Sequence, residues 1–165
     1  RLAVDSWRWA DVPFVLRAGK ALAATATEAL VEFRAPPRLL FAEPDYVPHA
    51  NLIRFRLGSN DGVSIHMLAK EPGPRMIGRE VELEVDFAAA FGRRQDAYER
   101  LLDDALDGLP MRFAGAETIE QQWRIVSEVL HPGVSPLYRY SAGTWGPEQA
   151  ARLLPGHGWH EPLSK

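Results

Sequence analysis

Apolar and acidic residues alternate without a break from Glu80 to Phe87. Successive side chains of an extended strand point to opposite faces, so this segment carries one apolar row and one acidic row. The apolar row is Val81, Leu83, Val85 and Phe87, and the acidic row is Glu80, Glu82, Glu84 and Asp86. A strand with one apolar and one charged face is typical of an antiparallel sheet, because parallel sheets are usually covered on both faces.

Other segments of the first half share this two-residue period. They cover residues 29–34, 52–57 and 63–67, and the last follows an Asn60-Asp61-Gly62 turn. Arg34, Arg54 and Arg56 stand on the polar sides of their strands. Opposite charges on neighbouring strands stabilise a sheet by about 0.2–1 kcal/mol per pair, so we expect these cations to face the acidic row. Two interpretations remain open: a solvated face of mixed charge, or a face that meets a partner surface.

The second half of the chain changes to a helical period. Apolar residues spaced three and four apart predict helices over about 96–106 and 117–130, and a short third helix starts at Pro147. Strands followed by helices predict an α+β fold, in which a large, mainly antiparallel sheet has helices packed on one face.

Length and composition limit the class of protein. A chain of 165 residues that is 46% hydrophobic suits one domain, which we expect over residues 1–155, with a flexible tail over 156–165. Its apolar runs are too short for a bilayer, no signal peptide is visible, and the net charge of −3 argues against nucleic acid. We therefore expect a cytoplasmic protein that binds neither membranes nor nucleic acid.

The sequence gives little support for a catalytic or metal site formed by this chain alone. The chain has no Gly-x-Gly-x-x-Gly or Walker loop for a nucleotide, and no cysteine for a thiolate metal site. His157 and His160 are three residues apart but lack a third ligand, so we predict no metal. His66, on the polar side of its strand, is interpreted as a surface histidine.

Two cations end the apolar segment 12–20. Arg17 and Lys20 flank Gly19, and this arrangement can present two charges to an anion. The alternative is a strand that ends in solvent with its cations extended into water. The residues alone leave both interpretations open.

Segments in a fixed order resemble the glucose-6-phosphate dehydrogenase family. Residues 7–20 resemble its pattern Trp-x-Gly-Val-Pro-Phe-x-x-Arg-x-Gly-Lys, and residues 68–73 its (Ala/Thr)-Lys-x-Pro-Gly hairpin. Residues 96–102 and 123–126 resemble its signature helix and the Trp-Arg-Ile-Val segment after it, and residues 140–147 its closing turn. The resemblance therefore extends over almost the whole chain, from residue 7 to residue 154.

The resemblance implies an oxidoreductase that oxidises glucose 6-phosphate at C1 to the lactone, with NADP as hydride acceptor, in the first step of the pentose phosphate pathway. It also implies that the chain begins within the family's second domain, so that the dinucleotide-binding domain and the catalytic histidine with its aspartate lie upstream. This part is then expected to hold no catalytic residue, to be inactive alone, and to supply substrate contacts and the interface of a homodimer or tetramer.

Particular residues match or depart from the family pattern. Lys20 matches the lysine that holds substrate, whereas Arg17 and Arg56 match arginines that contact a second, structural NADP in some members. Thr25 replaces a basic substrate-binding residue, and Gly58 replaces a glutamine that reaches the sugar. These departures leave three possibilities: compensation by neighbouring residues, an altered substrate preference, or a non-catalytic assembly or regulatory module built on the same sheet. Pattern alone, without the resemblance, would indicate an α+β ligand-binding domain.

Overall fold

The computed structural model describes residues 1–35, 49–58, 60–92, 95–154, 156 and 158–162. His157, one of the two histidines weighed above as metal ligands, lies outside the described residues. The chain divides into two compact units. One unit, here called the sheet unit, is the continuous segment 26–96, and the other combines residues 1–25 with residues 97–165. The domain boundary at residue 155 and the flexibility of the segment after it stay predictions.

An antiparallel sheet in which each strand pairs with the next along the chain forms the sheet unit. Its strands are β1 (Thr27–Glu32), β2 (Leu52–Leu57), β3 (Gly62–Lys70) and β4 (Gly78–Asp86). The register puts Phe55, Val63 and Val85 side by side on one face and Arg54, Ser64 and Glu84 side by side on the other. The antiparallel sheet and the two alternating faces are thereby confirmed.

The helices follow the sheet in sequence. They are α1 (Phe87–Phe91), α2 (Ala97–Leu106) and α3 (Ala116–Leu130), with short 3-10 turns at Trp7–Trp9, Pro110–Arg112 and Glu148–Leu153. The α+β class is confirmed, and the segment after Pro147 is a 3-10 turn. The packing of the longer helices on one face of the sheet stays a prediction.

The expected strand through Phe87 is wrong at its last residue. The Asp86 carboxylate accepts a hydrogen bond from the Ala89 backbone nitrogen at 2.9 Å, so Asp86 caps α1 and Phe87 begins that helix. An aspartate at this position satisfies a helix N–H that has no partner within the helix.

On β2 and β3 the charged face of the sheet is more deeply buried than the apolar face, whereas the glutamates of β4 are exposed. Arg54 is 6% exposed and Arg56 2%, and Ser64, which stands opposite Arg54 on β3, is fully buried. Arg54 pairs with Glu28 on β1 at 2.5 Å, and Arg56 pairs with Glu84 on β4 at 2.5 Å. The arginines therefore hold strands together from the polar side.

Arg56 reaches Glu84 by crossing the strand between them. A Cβ atom added to Gly62 on β3 would lie only 2.5 Å from Arg56 Nη2, which shows how closely the guanidinium passes over that glycine. The Arg56 Nε also donates to the Asn60 carbonyl at 3.2 Å. The absence of a side chain at Gly62 is thus what allows a cation of β2 to pair with an anion of β4.

His66 is the basic neighbour of the remaining glutamates. Its Nε2 lies 3.3 Å from Glu82 and its Nδ1 3.5 Å from Glu80. Arg34, which was also expected to face the acidic row, follows β1, since that strand ends at Glu32. Each glutamate of the acidic row has a basic neighbour within the chain, as the mixed-charge interpretation of this face expects.

The apolar face of the sheet is open by comparison. Its more exposed large side chains, at 40–56%, are Val31, Phe55, Leu57, Leu83 and Val85. Across the described ranges, no apolar side chain is fully buried. No helix among those ranges has the length and hydropathy needed to cross a membrane.

Candidate functional site

The chain reaches Lys20 through a small closed loop. Leu2 and Phe14 exchange two backbone hydrogen bonds of 2.7 and 3.0 Å, and the Trp9 and Phe14 rings meet edge to face with centroids 5.4 Å apart. Asp11 takes a left-handed backbone conformation with φ of 63°, which aspartate tolerates better than most residues. These contacts restrain the loop that precedes the segment leading to Lys20.

Lys20 has an exposed side chain on a restrained backbone. Its carbonyl accepts a hydrogen bond of 2.8 Å from the Tyr140 hydroxyl. One residue further, the Ala21 carbonyl accepts from the Gly143 nitrogen at 2.9 Å, and the Ala23 nitrogen donates to the Thr144 carbonyl at 3.1 Å. We call residues 140–147 the closing turn; it holds the backbone of residues 20–23 by three hydrogen bonds.

The Lys20 ammonium group is available for a ligand. Among the residues whose positions are described, none forms a hydrogen bond or an ion pair with it. An ammonium carries three donors and a full charge, and it suits the oxygens of a phosphate or a sugar hydroxyl. The described part of the chain contains no group of three histidine or carboxylate side chains arranged to hold a metal ion.

Arg17 is engaged by two tryptophans. Its Cζ lies 4.5 Å from the Trp145 ring centroid and 4.8 Å from that of Trp159, and its Nη2 donates to the His160 carbonyl at 3.3 Å. The Trp159 indole donates to the Ala150 carbonyl at 3.2 Å. Sequence reasoning missed this cluster, although a tryptophan within a polar, glycine-rich tail was a usable signal.

Arg56, the other residue assigned to a second nucleotide, belongs to the sheet unit. Its side chain is 3% exposed and is used by Glu84 and the Asn60 carbonyl. As positioned, it offers a phosphate almost no accessible donor, and the pair with Glu84 would have to open first. The assignment of Arg17 and Arg56 to a structural NADP stays a prediction.

The two departures from the family pattern differ in kind. Thr25 is exposed, and it is the last residue of segment 1–25, which forms one unit with residues 97–165. Gly58 has a φ of 135°, and no atom lies within 4 Å of the position a Cβ would take. This backbone conformation is nearly restricted to glycine, so a glutamine could not occupy it without strain. At position 58 this chain therefore has a backbone conformation that suits glycine, and no side chain.

Comparison with known proteins agrees with this geometry. A family model described as glucose-6-phosphate dehydrogenase, C-terminal domain, matches residues 1–160. A glucose-6-phosphate 1-dehydrogenase of Rhizobium meliloti (strain 1021) is 35% identical over 97% of this chain and 34% of its own length. A glucose-6-phosphate 1-dehydrogenase 1 of Mycobacterium bovis is 39% identical over 98% of this chain and 34% of its own.

Solved structures give the same result. The crystal structure of glucose-6-phosphate 1-dehydrogenase from Mycobacterium avium superposes with a TM-score of 0.79 at 35% identity, over 99% of this chain and 34% of that one. A glucose-6-phosphate dehydrogenase in complex with its substrate glucose-6-phosphate superposes with a TM-score of 0.77 at 25% identity, over 98% of this chain and 34% of that one. The chain thus spans about a third of the length of these relatives. Since the family model covers nearly every residue and the sheet and closing turn follow the expected order, the chain belongs to the glucose-6-phosphate dehydrogenase C-terminal domain family.

Proposed function

We propose that this chain is the substrate-side part of an NADP-dependent dehydrogenase that oxidises glucose 6-phosphate at C1 to 6-phosphoglucono-lactone. The observation that carries the proposal is Lys20, whose exposed and uncommitted ammonium sits on a backbone held by the closing turn. The family membership and a solved relative described as a complex with glucose-6-phosphate support the choice of substrate.

The role of this chain in the reaction is to bind and orient. Lys20 donates hydrogen bonds to a phosphate or hydroxyl oxygen of the sugar, which fixes the sugar relative to the rest of the protein. NADP, when bound elsewhere in the whole protein, supplies the hydride acceptor. The proposal assigns the general base to a histidine outside this chain, so that residues 1–165 alone do not turn over substrate.

The cellular setting is part of the same proposal. We infer a cytoplasmic enzyme at the first step of the pentose phosphate pathway, active as a homodimer or larger assembly. Self-association through the sheet unit is supported by the open apolar face described above, because burying apolar surface drives association.

Replacement of Lys20 tests the proposal. In the protein as its gene encodes it, Lys20→Met removes the charge and all three donors while keeping a long apolar chain. Loss of a charged hydrogen bond is worth about 1.5–3 kcal/mol, so KM for glucose 6-phosphate should rise about tenfold to a hundredfold. KM for NADP should stay unchanged, and Lys20→Arg should retain part of the affinity.

A matched control separates this effect from general loss of positive charge. Arg152 is an exposed cation of the same unit, and no described residue pairs with it. Arg152→Met should therefore leave both KM values at their wild-type level. An unchanged KM for glucose 6-phosphate in Lys20→Met would refute the role given to Lys20.

A second candidate function is a non-catalytic assembly or regulatory module. Thr25 and Gly58 favour it, because Thr25 lacks the positive charge and Gly58 lacks the side chain that the family pattern has at those positions. The coding sequence upstream of Arg1 discriminates between the two. A glycine-rich nucleotide loop and an Asp-His-Tyr segment there favour the enzyme, whereas an unrelated domain favours the module.

A further inference from the structure

We infer that Tyr140 is a positioning residue for Lys20, and that the closing turn keeps the backbone of residues 20 and 21 in a binding-competent conformation that is strained at Ala21. The inference rests on the proposed role of Lys20 in binding substrate. Tyr140 itself need not touch the sugar. Its hydroxyl acts on the lysine backbone, 120 residues earlier in the chain, through the hydrogen bond to the Lys20 carbonyl.

The strain lies at the residue that follows the lysine. Ala21 has a φ of 51°, a left-handed conformation that disfavours residues with a Cβ atom. Such a conformation persists only where surrounding contacts impose it, and these outliers are concentrated at functional sites. Here the contacts flank the strained residue directly, since the Tyr140 hydroxyl holds the carbonyl before it and the Gly143 nitrogen holds its own carbonyl.

A glycine makes room for the tyrosine. A Cβ atom added to Gly19 would lie 3.2 Å from the Tyr140 hydroxyl oxygen and 3.2 Å from two carbon atoms of Leu22. This distance is tighter than ordinary packing, so a side chain at position 19 would crowd the hydroxyl that donates to the Lys20 carbonyl. Gly19 and Tyr140 therefore belong to one arrangement that fixes the lysine from the backbone side.

The physical consequence concerns binding rather than chemistry. A long, flexible lysine loses rotamer freedom when it binds an anion, and a backbone that was also free would add to that cost. By holding residues 20 and 21 in advance, the closing turn lowers the ordering cost of substrate binding. We therefore expect Tyr140 to act on KM for the sugar phosphate and to leave kcat and KM for NADP alone.

The test uses the gene-encoded protein and three tyrosine or lysine variants. Tyr140→Phe removes only the hydroxyl, and Tyr138→Phe makes the same change two residues away, at a side chain with no hydrogen bond to any described residue. Loss of one neutral hydrogen bond predicts a KM for glucose 6-phosphate raised about threefold to tenfold in Tyr140→Phe. Tyr138→Phe should match the wild type, and Lys20→Met should have the largest effect.

A rescue variant tests the strain directly. Glycine adopts a φ of about 50° without steric strain, although it is also freer to move, so Ala21→Gly in the Tyr140→Phe background should lower KM part of the way back to the wild-type value. Hydrogen–deuterium exchange of the peptide covering residues 17–25 gives a readout without substrate. Exchange there should be faster in Tyr140→Phe and unchanged in Tyr138→Phe.

The outcomes separate failure of the positioning role of Tyr140 from failure of the proposed function. If Lys20→Met raises KM but Tyr140→Phe leaves both KM and exchange unchanged, the positioning role is overturned while the proposed function stands. If Tyr140→Phe raises KM for NADP equally, or Tyr138→Phe behaves like Tyr140→Phe, the effect is general destabilisation and the inference also fails. If Lys20→Met has no effect, the proposed function itself fails, and the inference falls with it.

Discussion

Gly62→Ala should destabilise the sheet unit by forcing β3 and β4 apart. The new methyl carbon would lie 2.5 Å from Arg56 Nη2 and 2.5 Å from the Val85 carbonyl oxygen. No real Cβ tolerates either distance, so both neighbours must move. The guanidinium can swing away, but the carbonyl belongs to the backbone of β4 and moves only if β3 and β4 separate.

The cost follows from what each movement gives up. Swinging Arg56 outward breaks its pair with Glu84, whose side chain is 41% exposed, so solvent limits that pair to about 1 kcal/mol. The hydrogen bond from Nε to the Asn60 carbonyl adds about 1 kcal/mol. The collision with the Val85 carbonyl adds about 1–3 kcal/mol, the usual range for overpacking. Together these give about 3–5 kcal/mol.

Native-state hydrogen exchange of the amides in β2, β3 and β4 measures this cost locally. It avoids a global unfolding transition, which need not be two-state in a longer protein. A loss of 3–5 kcal/mol corresponds to exchange about a hundredfold to a few thousandfold faster. Gly158→Ala is the control, because it adds the same methyl group where no atom lies within 4 Å.

A second variant separates the two collisions. In an Arg56→Ala background the guanidinium is absent, so Gly62→Ala should cost only the part due to the Val85 carbonyl, about 1–3 kcal/mol. Exchange rates in Gly62→Ala that equal those of the wild type would refute the reading of Gly62 as the passage for Arg56.

The tail and the oligomeric state give the remaining predictions. Arg17→Ala removes the cation from both indoles, a loss of about 1–3 kcal/mol, so chymotrypsin should cleave after Trp159 faster than in the wild type, whereas Arg17→Lys should be intermediate. Equal cleavage rates in all three proteins would show that Arg17 does not hold this segment. Sedimentation of residues 1–165 should give a dimer, because the open apolar face of the sheet unit favours self-association. A soluble monomer at all concentrations would contradict that expectation.

Alternation and period predicted the local elements well. The strand expected over residues 52–57 is β2 to the residue, and the helix expected over residues 117–130 is α3 with one more residue at its start. These elements are amphipathic, so their own sequences carry the necessary information. Phe87 shows the limit, since an apolar residue continues a strand pattern and equally begins a helix once Asp86 supplies a cap.

The alternation of apolar and polar residues did not predict contacts between residues distant in sequence. Neither the crossing of Arg56 over Gly62 nor the pairing of His66 with two glutamates follows from alternation, because the two-residue period gives a face and not a side-chain path. The same holds for Tyr140 and Lys20, which no local rule connects. The family resemblance identified both segments but did not indicate that they touch.

Because one unit combines residues 1–25 with residues 97–165, the two units fold in a definite order while the chain is synthesised. Lys20 and Tyr140 are 120 residues apart, and the sheet unit lies between them as one continuous segment with neighbouring strands paired. Ribosomes add about 5–20 residues per second, so the lysine waits roughly 6–24 seconds for its tyrosine to be made. The sheet can be complete by then, because its contacts are close in sequence and form early. During elongation the binding segment therefore matures after the sheet unit, and until Tyr140 is made it stays accessible to proteases and chaperones.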